Sequence, residues 1–353
     1  MSDQPQPRRG IVLMNLGSPD STQVPDVKRY LDEFLMDKRI IDYPYLFRLL
    51  LVKGMITPKR SPQSAEAYEK IWWPEGSPLI VLTDRLKEAL EKHLTEPVEV
   101  AMRYGNPHPA SAYKRLMERA PGLQEVILFS LYPQYAMSSY ETAVEYARQV
   151  YRQGNYPFRL RVIRPFYNES RYIAALAESI RPYLKDSDYL LFSFHGVPER
   201  HIRKGDITHN HCLKTADCCT VDSPAHQFCY RHQVLKTVEL TAQALSLPAD
   251  RYGHAFQSRL GRDPWLQPYT AATLEALPGR GIKNLVVTCP AFVSDCLETL
   301  EEIAMQGKET FMKAGGESFR VAPCLNVQPQ WVELLASWVK EYSAGDQSMI
   351  LPE

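Results

Sequence analysis

The sequence has no excess of charge of either sign: its 41 basic and 41 acidic side chains cancel over 353 residues. A chain so balanced presents no field for capturing a polyanion, and nucleic-acid binding is not expected. Long apolar runs are also missing. None approaches the roughly 20 residues that a bilayer-spanning helix needs. The opening stretch, Met1-Ser-Asp-Gln-Pro-Gln-Pro-Arg-Arg, lacks the apolar core of a secretory leader. A cytoplasmic location is therefore expected, and the seven cysteines are expected as reduced thiols. The patterns G-x-G-x-x-G, G-x-x-x-x-G-K-[ST], G-x-S-x-G and H-E-x-x-H do not occur. Their absence argues against dinucleotide, nucleoside-triphosphate, serine-hydrolase and zinc-protease chemistry.

What is present is alternation. Apolar runs at 10–16, 98–103, 125–130, 159–163, 190–195, 251–256, 283–288 and 319–321 read as strands. Between them the apolar spacing turns helical, as in 24–36, 79–94, 138–151, 170–184, 234–245, 293–314 and 331–342. Strands alternating with helices imply crossover units and parallel sheets. The alternation runs twice, with a break near Pro165. The expected fold is α/β, with two doubly wound Rossmann-like halves and a ligand cleft between them at the strand ends. The first half is 1–165, with an apolar segment at 43–58. The second is 166–353, with a cysteine insert at 209–232 and a terminal helix, after which the tail past Ser343 is expected to fray.

Two strand ends carry chemistry. In Leu190-Leu-Phe-Ser-Phe-His-Gly-Val-Pro198 an apolar run stops at His195. Imidazole changes charge near neutral pH and binds metals, although a lone histidine at a strand end is more often simply satisfied there. The second stretch is Val286-Val-Thr-Cys-Pro-Ala-Phe-Val-Ser-Asp-Cys-Leu-Glu-Thr-Leu-Glu-Glu302. It leads into a helix start with Asp295, Glu298, Glu301 and Glu302. Glu298 and Glu302, four apart, share a helix face. Like charges so placed repel, and a cation would relieve them. The plainer reading is a solvated acidic helix start that suits the helix dipole. Residues 43–56 are unusually apolar. With Tyr43, Tyr45, Arg48, Lys53, Lys59 and Arg60 around them, they read either as a segment lying on a membrane surface or as an ordinary core helix.

These stretches together resemble the ferrochelatases, which insert ferrous iron into a porphyrin. The resemblance runs from Gly10 to about Trp331. It is carried by Asn15-Leu-Gly-Ser-Pro19, Tyr68 with Gly76-Ser-Pro78, Arg103-Tyr104, Tyr132-Pro-Gln-Tyr135, Ser193-Phe-His-Gly-Val-Pro198, Phe256-Gln-Ser-Arg-Leu-Gly261 with Asp263-Pro-Trp265, and Cys289-Pro-Ala-Phe-Val-Ser-Asp-Cys-Leu-Glu-Thr-Leu300. The resemblance implies the two-half fold and the substrates Fe²⁺ and protoporphyrin IX. It implies His195 and Glu298 as the catalytic, metal-meeting pair and Glu302 as a station on the iron's path. It further implies Arg103, Tyr104, Tyr132 and Trp265 around the porphyrin, and Tyr68 with the apolar segment as a lip on the membrane surface. Peripheral membrane association and contact with neighbouring enzymes of the haem pathway follow from it. Two rival readings stand beside this one: a chelatase for coproporphyrin or for Co²⁺ or Ni²⁺, and a non-catalytic tetrapyrrole carrier or iron–sulfur sensor.

The cysteine insert is spaced C-x5-C-C-x9-C over Cys212, Cys218, Cys219 and Cys229. Four clustered thiols suit a [2Fe–2S] cluster and nearly as well suit Zn²⁺; free thiols are the third reading. Adjacent Cys218 and Cys219 are awkward on a single ion, which favours the two-iron core. His209, His211, His226 and His232 are alternative donors. Some bacterial ferrochelatases carry an internal cysteine set after the histidine motif, and the segment resembles it.

Overall fold

Eight strands, all paired in parallel, form two four-stranded sheets among the described residues. The computed structural model describes residues 8–352 except 187, 260 and 262. The opening residues 1–7 and Leu260 of the Phe256–Gly261 motif lie outside that range. The first sheet comprises β1 (Arg9–Ser18), β2 (Val98–Gly105), β3 (Glu125–Ser130) and β4 (Arg159–Val162), ordered β2-β1-β3-β4. The second comprises β5 (Tyr189–His195), β6 (Tyr252–Gln257), β7 (Asn284–Thr288) and β8 (Ser318–Val321), ordered β6-β5-β7-β8. Each half thus repeats one order. Helices cover both faces of such sheets, which is why the strands read as nearly unbroken apolar runs. Ile11, Val12, Leu13 and Met14 of β1 and Leu190, Phe192 and Phe194 of β5 are fully buried. In each sheet the chain switches direction beside its first strand, where an open α/β sheet offers a crevice at the strand ends.

The chain divides into two compact units, one of residues 1–131, 138–164 and 327–353, the other of 132–137 and 165–326. The terminal helix Pro329–Ser343 therefore packs with the first unit, not with the second half where the sequence order put it. Buried Trp338 stacks on Phe129 of β3, and the Tyr342 hydroxyl donates to Glu125 at 2.7 Å. These contacts recruit the helix to the first sheet. The tail beyond it is tied down as well. Arg164 donates its backbone N–H to Met349, Leu351 donates to Val162, and Met349 is buried.

Two helical segments differ from the sequence expectation. The helix expected over 293–314 begins only at Glu298. It runs as a π-helix over Glu298–Gly307 before Lys308–Lys313 continues as α-helix. The preceding residues are held in a turn by Asp295. Its carboxylate accepts from Thr299 Oγ1 at 2.9 Å, Asn326 Nδ2 at 2.7 Å and the Cys324 N–H. The apolar segment is helical over Tyr45–Leu49, Leu50–Ile56 and Thr57–Ile71 in succession, the middle piece again π-helical. It is not a core helix: Leu46 is 72 % and Leu50 71 % exposed, and Tyr45, Phe47 and Met55 are exposed too. Arg48, read from the sequence as a surface cation, is buried instead and donates to the Ile41 and Tyr43 carbonyls.

Candidate active site

The second unit gathers His195, Trp265, Glu298 and Glu302 around the ends of β5 and β6. His195 ends β5 opposite Gln257, the last residue of β6. Gly196 follows because nothing larger fits. A Cβ there would lie 2.9 Å from the Gln257 carbonyl oxygen and 3.1 Å from the Trp265 ring. The Gly196 carbonyl can only accept, so the 2.7 Å contact with His195 Nδ1 puts the proton on that nitrogen. In the neutral ring the lone pair is then on Nε2, available to a proton or a metal. Tyr230 donates its hydroxyl to the His195 carbonyl at 2.9 Å. Trp265 is nearly buried and is set by the Leu266 N–H donating to Val197.

Glu302 accepts from the Ser258 N–H at 3.0 Å, from Ser258 Oγ at 2.5 Å and from Gln257 Nε2 at 3.4 Å. Burial pushes its carboxyl above the ordinary range. The Ser258 hydrogen bonds and the charge of His195 oppose that shift, and Glu298 adds to it. Glu298 and Glu302 are thus neighbours in charge as well as in sequence. Asp295, the third acid of the expected cluster, faces Thr299 and Asn326, and Glu301 is buried and accepts from Gln306. Neither belongs with the pair. Gln257 itself accepts from Ser193 Oγ at 2.7 Å, and Ser193 bonds Thr270 at 2.9 Å. The sequence offered Gln257 and Ser258 only as letters of a motif and gave neither a role.

The first unit holds Arg103, Tyr104 and Tyr68. Tyr104 is fully buried, and its hydroxyl donates to Asp37 Oδ2 at 2.8 Å. Arg103 donates to the same Asp37 oxygen at 2.5 Å and to Thr142 at 2.9 Å. Its guanidinium lies 4.2 Å from the Tyr104 ring centre and 4.4 Å from that of Tyr146. Burial alone would raise the Asp37 carboxyl. The Arg103 charge and the bonds from Thr142, the Arg39 N–H and Tyr104 outweigh it and hold the carboxyl below its usual range. Tyr104 therefore buttresses Arg103 rather than lining an open wall. Tyr68 is buried and meets Tyr30 edge-on, as Tyr104 does. Tyr132 is also buried, and it belongs to the second unit.

In the insert, Cys212, Cys218, Cys219 and Cys229 are all buried free thiols. Buried Asp206 starts the loop by accepting from the N–H groups of Thr208, His211 and Cys212. Cys218 Sγ accepts from the Leu213 N–H and from Arg231, each at 3.4 Å, and Arg231 also reaches Cys219 Sγ at 3.4 Å. Of the alternative donors, His211 and His226 bond the Cys218 carbonyl and His232 bonds that of Cys219, so they brace the loop. Among the described residues, no three His, Cys, Asp or Glu side chains are grouped to hold one metal ion.

The family model described as ferrochelatase matches residues 8–343. The chain belongs to the ferrochelatase family. A ferrochelatase of Opitutus terrae is 49 % identical over 345 residues, covering 95 % of this chain and 98 % of the relative. A ferrochelatase of Azotobacter vinelandii is 51 % identical over 330 residues, covering 92 % and 96 %. Among solved structures, SirB from Bacillus subtilis with Fe³⁺ aligns over 98 % of this chain and 99 % of its own, with a TM-score of 0.54 at 10 % identity. That likeness speaks to the fold alone, and it agrees with the two parallel sheets that the alternation predicts.

Proposed function

We infer that the chain performs the chemistry of its family, as a lyase that inserts Fe²⁺ into protoporphyrin IX to form protohaem. The observation that carries the site assignment is His195 with Nδ1 pinned to Gly196, beside a carboxylate pair on a π-helix. Insertion exchanges two pyrrole N–H bonds for bonds to iron and releases two protons, while the aqua ion sheds its waters. His195 Nε2 is the group that takes a pyrrole proton or touches the metal. Glu298 supplies a hard oxygen donor. Two donors rather than a closed cage hold the ion loosely enough to give it up. Trp265 and Tyr132 would bound the ring. Arg103 and Tyr104, which the resemblance places near the porphyrin, are locked to Asp37. Segments of π-helix are frequent at functional sites, and this one opens at Glu298.

A membrane-bound lip at 43–58 is part of the proposal. Support comes from the exposed Tyr45, Leu46, Phe47, Leu50 and Met55, from Lys53, Lys59 and Arg60, and from the lack of any acid between Tyr43 and Ala65. Apolar side chains with like-signed cations and no acids suit an anionic bilayer surface, where a greasy porphyrin has a short way in. No described helix is long and apolar enough to cross a membrane.

The insert is proposed as a [2Fe–2S] site on Cys212, Cys218, Cys219 and Cys229. The donor chemistry fits: four buried thiols fall within eighteen residues, with an N–H and a guanidinium directed at the sulfurs of Cys218 and Cys219. Two thiolates per iron ask for no group of three on one ion, whereas zinc does. Such a cluster would be structural or sensory, since metal insertion transfers no net electrons. Anaerobic mixing of the protein with protoporphyrin IX and Fe²⁺ tests the reaction through loss of porphyrin fluorescence. The expected result is rapid loss with wild type and none with H195A. Wild-type protein inert towards protoporphyrin and coproporphyrin, with Fe²⁺ and Co²⁺ alike, would leave the carrier reading. The freshly isolated protein should be brown, with the visible bands of a [2Fe–2S] centre that C218S loses. A colourless protein containing no iron would remove the cluster.

A further inference from the structure

Ser258, one residue past β6, sits at φ +63°, in the left-handed region that residues other than glycine seldom occupy. Strain of this kind persists where the surroundings over-determine it, and it gathers at functional sites. The surroundings here are a carboxylate. Ser258 gives its N–H to Glu302 Oε1 at 3.0 Å and its hydroxyl to Oε2 at 2.5 Å, so both donors of one residue take both oxygens of one side chain. Gln257 Nε2 adds a longer contact to Oε2, and Gln257 is itself fixed from within the sheet by Ser193 and Thr270.

The way the charge of this carboxylate is treated separates it from a merely structural acid. Asp37 is as firmly held, but by Arg103, a permanent cation. Among the described residues Glu302 has no ion pair. Its fixed donors are neutral, and the charged or titratable groups that face it are His195, Glu298 and the buried thiol of Cys289. A carboxylate clamped in place yet left unneutralised is prepared for a cation that comes and goes.

We propose that Ser258 is a positioning residue, which through its N–H and hydroxyl fixes the Glu302 carboxylate in the orientation that receives Fe²⁺ and hands it to Glu298. The proposal rests on the reading that Glu298 and Glu302 belong to the metal site. Its test compares S258G, E302Q and wild type by initial rates of insertion, varying Fe²⁺ and porphyrin separately. Glycine keeps the N–H and adopts φ +63° without strain, so S258G folds and its Tm does not fall. The expected result is a KM for Fe²⁺ raised about tenfold in S258G, the scale of one lost charge-assisted hydrogen bond. The KM for porphyrin stays put, so the two KM values separate. A merely structural serine would not move the iron KM alone. Wild-type iron KM in S258G, with E302Q impaired, would overturn the clamp. Wild-type iron kinetics in E302Q as well would instead remove Glu302 from the metal site.

Discussion

The two sheets share one strand order, yet their strand ends have opposite chemistry. At the end of β2, Arg103 gives its donors to Asp37 and Thr142 and is sandwiched by Tyr104 and Tyr146. Arg103 and Asp37 there partner each other inside the protein. At the ends of β5 and β6, His195 spends one nitrogen on Gly196 and keeps the other, and Glu302 is fixed by neutral donors only. Topology thus repeats one strand-end arrangement, and unspent bonding capacity is what separates the two ends.

The sharpest way to break the comparison is to blunt one group at each strand end. E298Q removes a hard donor from the open site. Insertion should fall by at least about 100-fold with porphyrin binding intact, measured as kcat beside fluorescence quenching on binding. Full activity in E298Q would mean that the second site reacts without its first carboxylate. Next in size is D37A at the closed site. It strands the Arg103 guanidinium between two rings and should cost about 3 kcal/mol of stability, as breaking a buried pair does, read as a lowered denaturation midpoint. The same pair has a pH signature. Asp37 titrates below its unfolded range, so its contribution is complete above about pH 4 and is lost as pH falls through the folded value. Stability of D37A should consequently decline less than that of wild type on acidification from pH 5 to 3, and parallel curves would refute the assignment. The smallest effect concerns neither crevice. L46D with L50D should weaken flotation with anionic liposomes about tenfold or more while leaving Tm and insertion into detergent-dispersed porphyrin unchanged. Equal flotation would discount the lip.

Much of this was legible before any fold was known. The eight strands follow from apolar runs of the right length, and His195 and Glu298 stand out because each closes or follows such a run. The π-helix was not legible. It follows a loop that Asp295 anchors through Asn326 and Cys324, residues some thirty positions away. Nor did periodicity distinguish the exposed apolar segment from a core helix, since the same spacing serves both and only neighbours decide.

The sequence by itself determined the parallel two-sheet architecture, the family and the chemical types at the site, because strand burial and strand-end residues are local, short-range facts. Tertiary structure alone decided which polar groups are already satisfied. It closed Arg103 on Asp37, buried Arg48, turned Asp295 away from the acidic pair, drew the terminal helix onto the first sheet and set Ser258 against Glu302. Partnership of that kind joins residues far apart in the chain. It depends on distances of a few tenths of an ångström, and no spacing rule carries it.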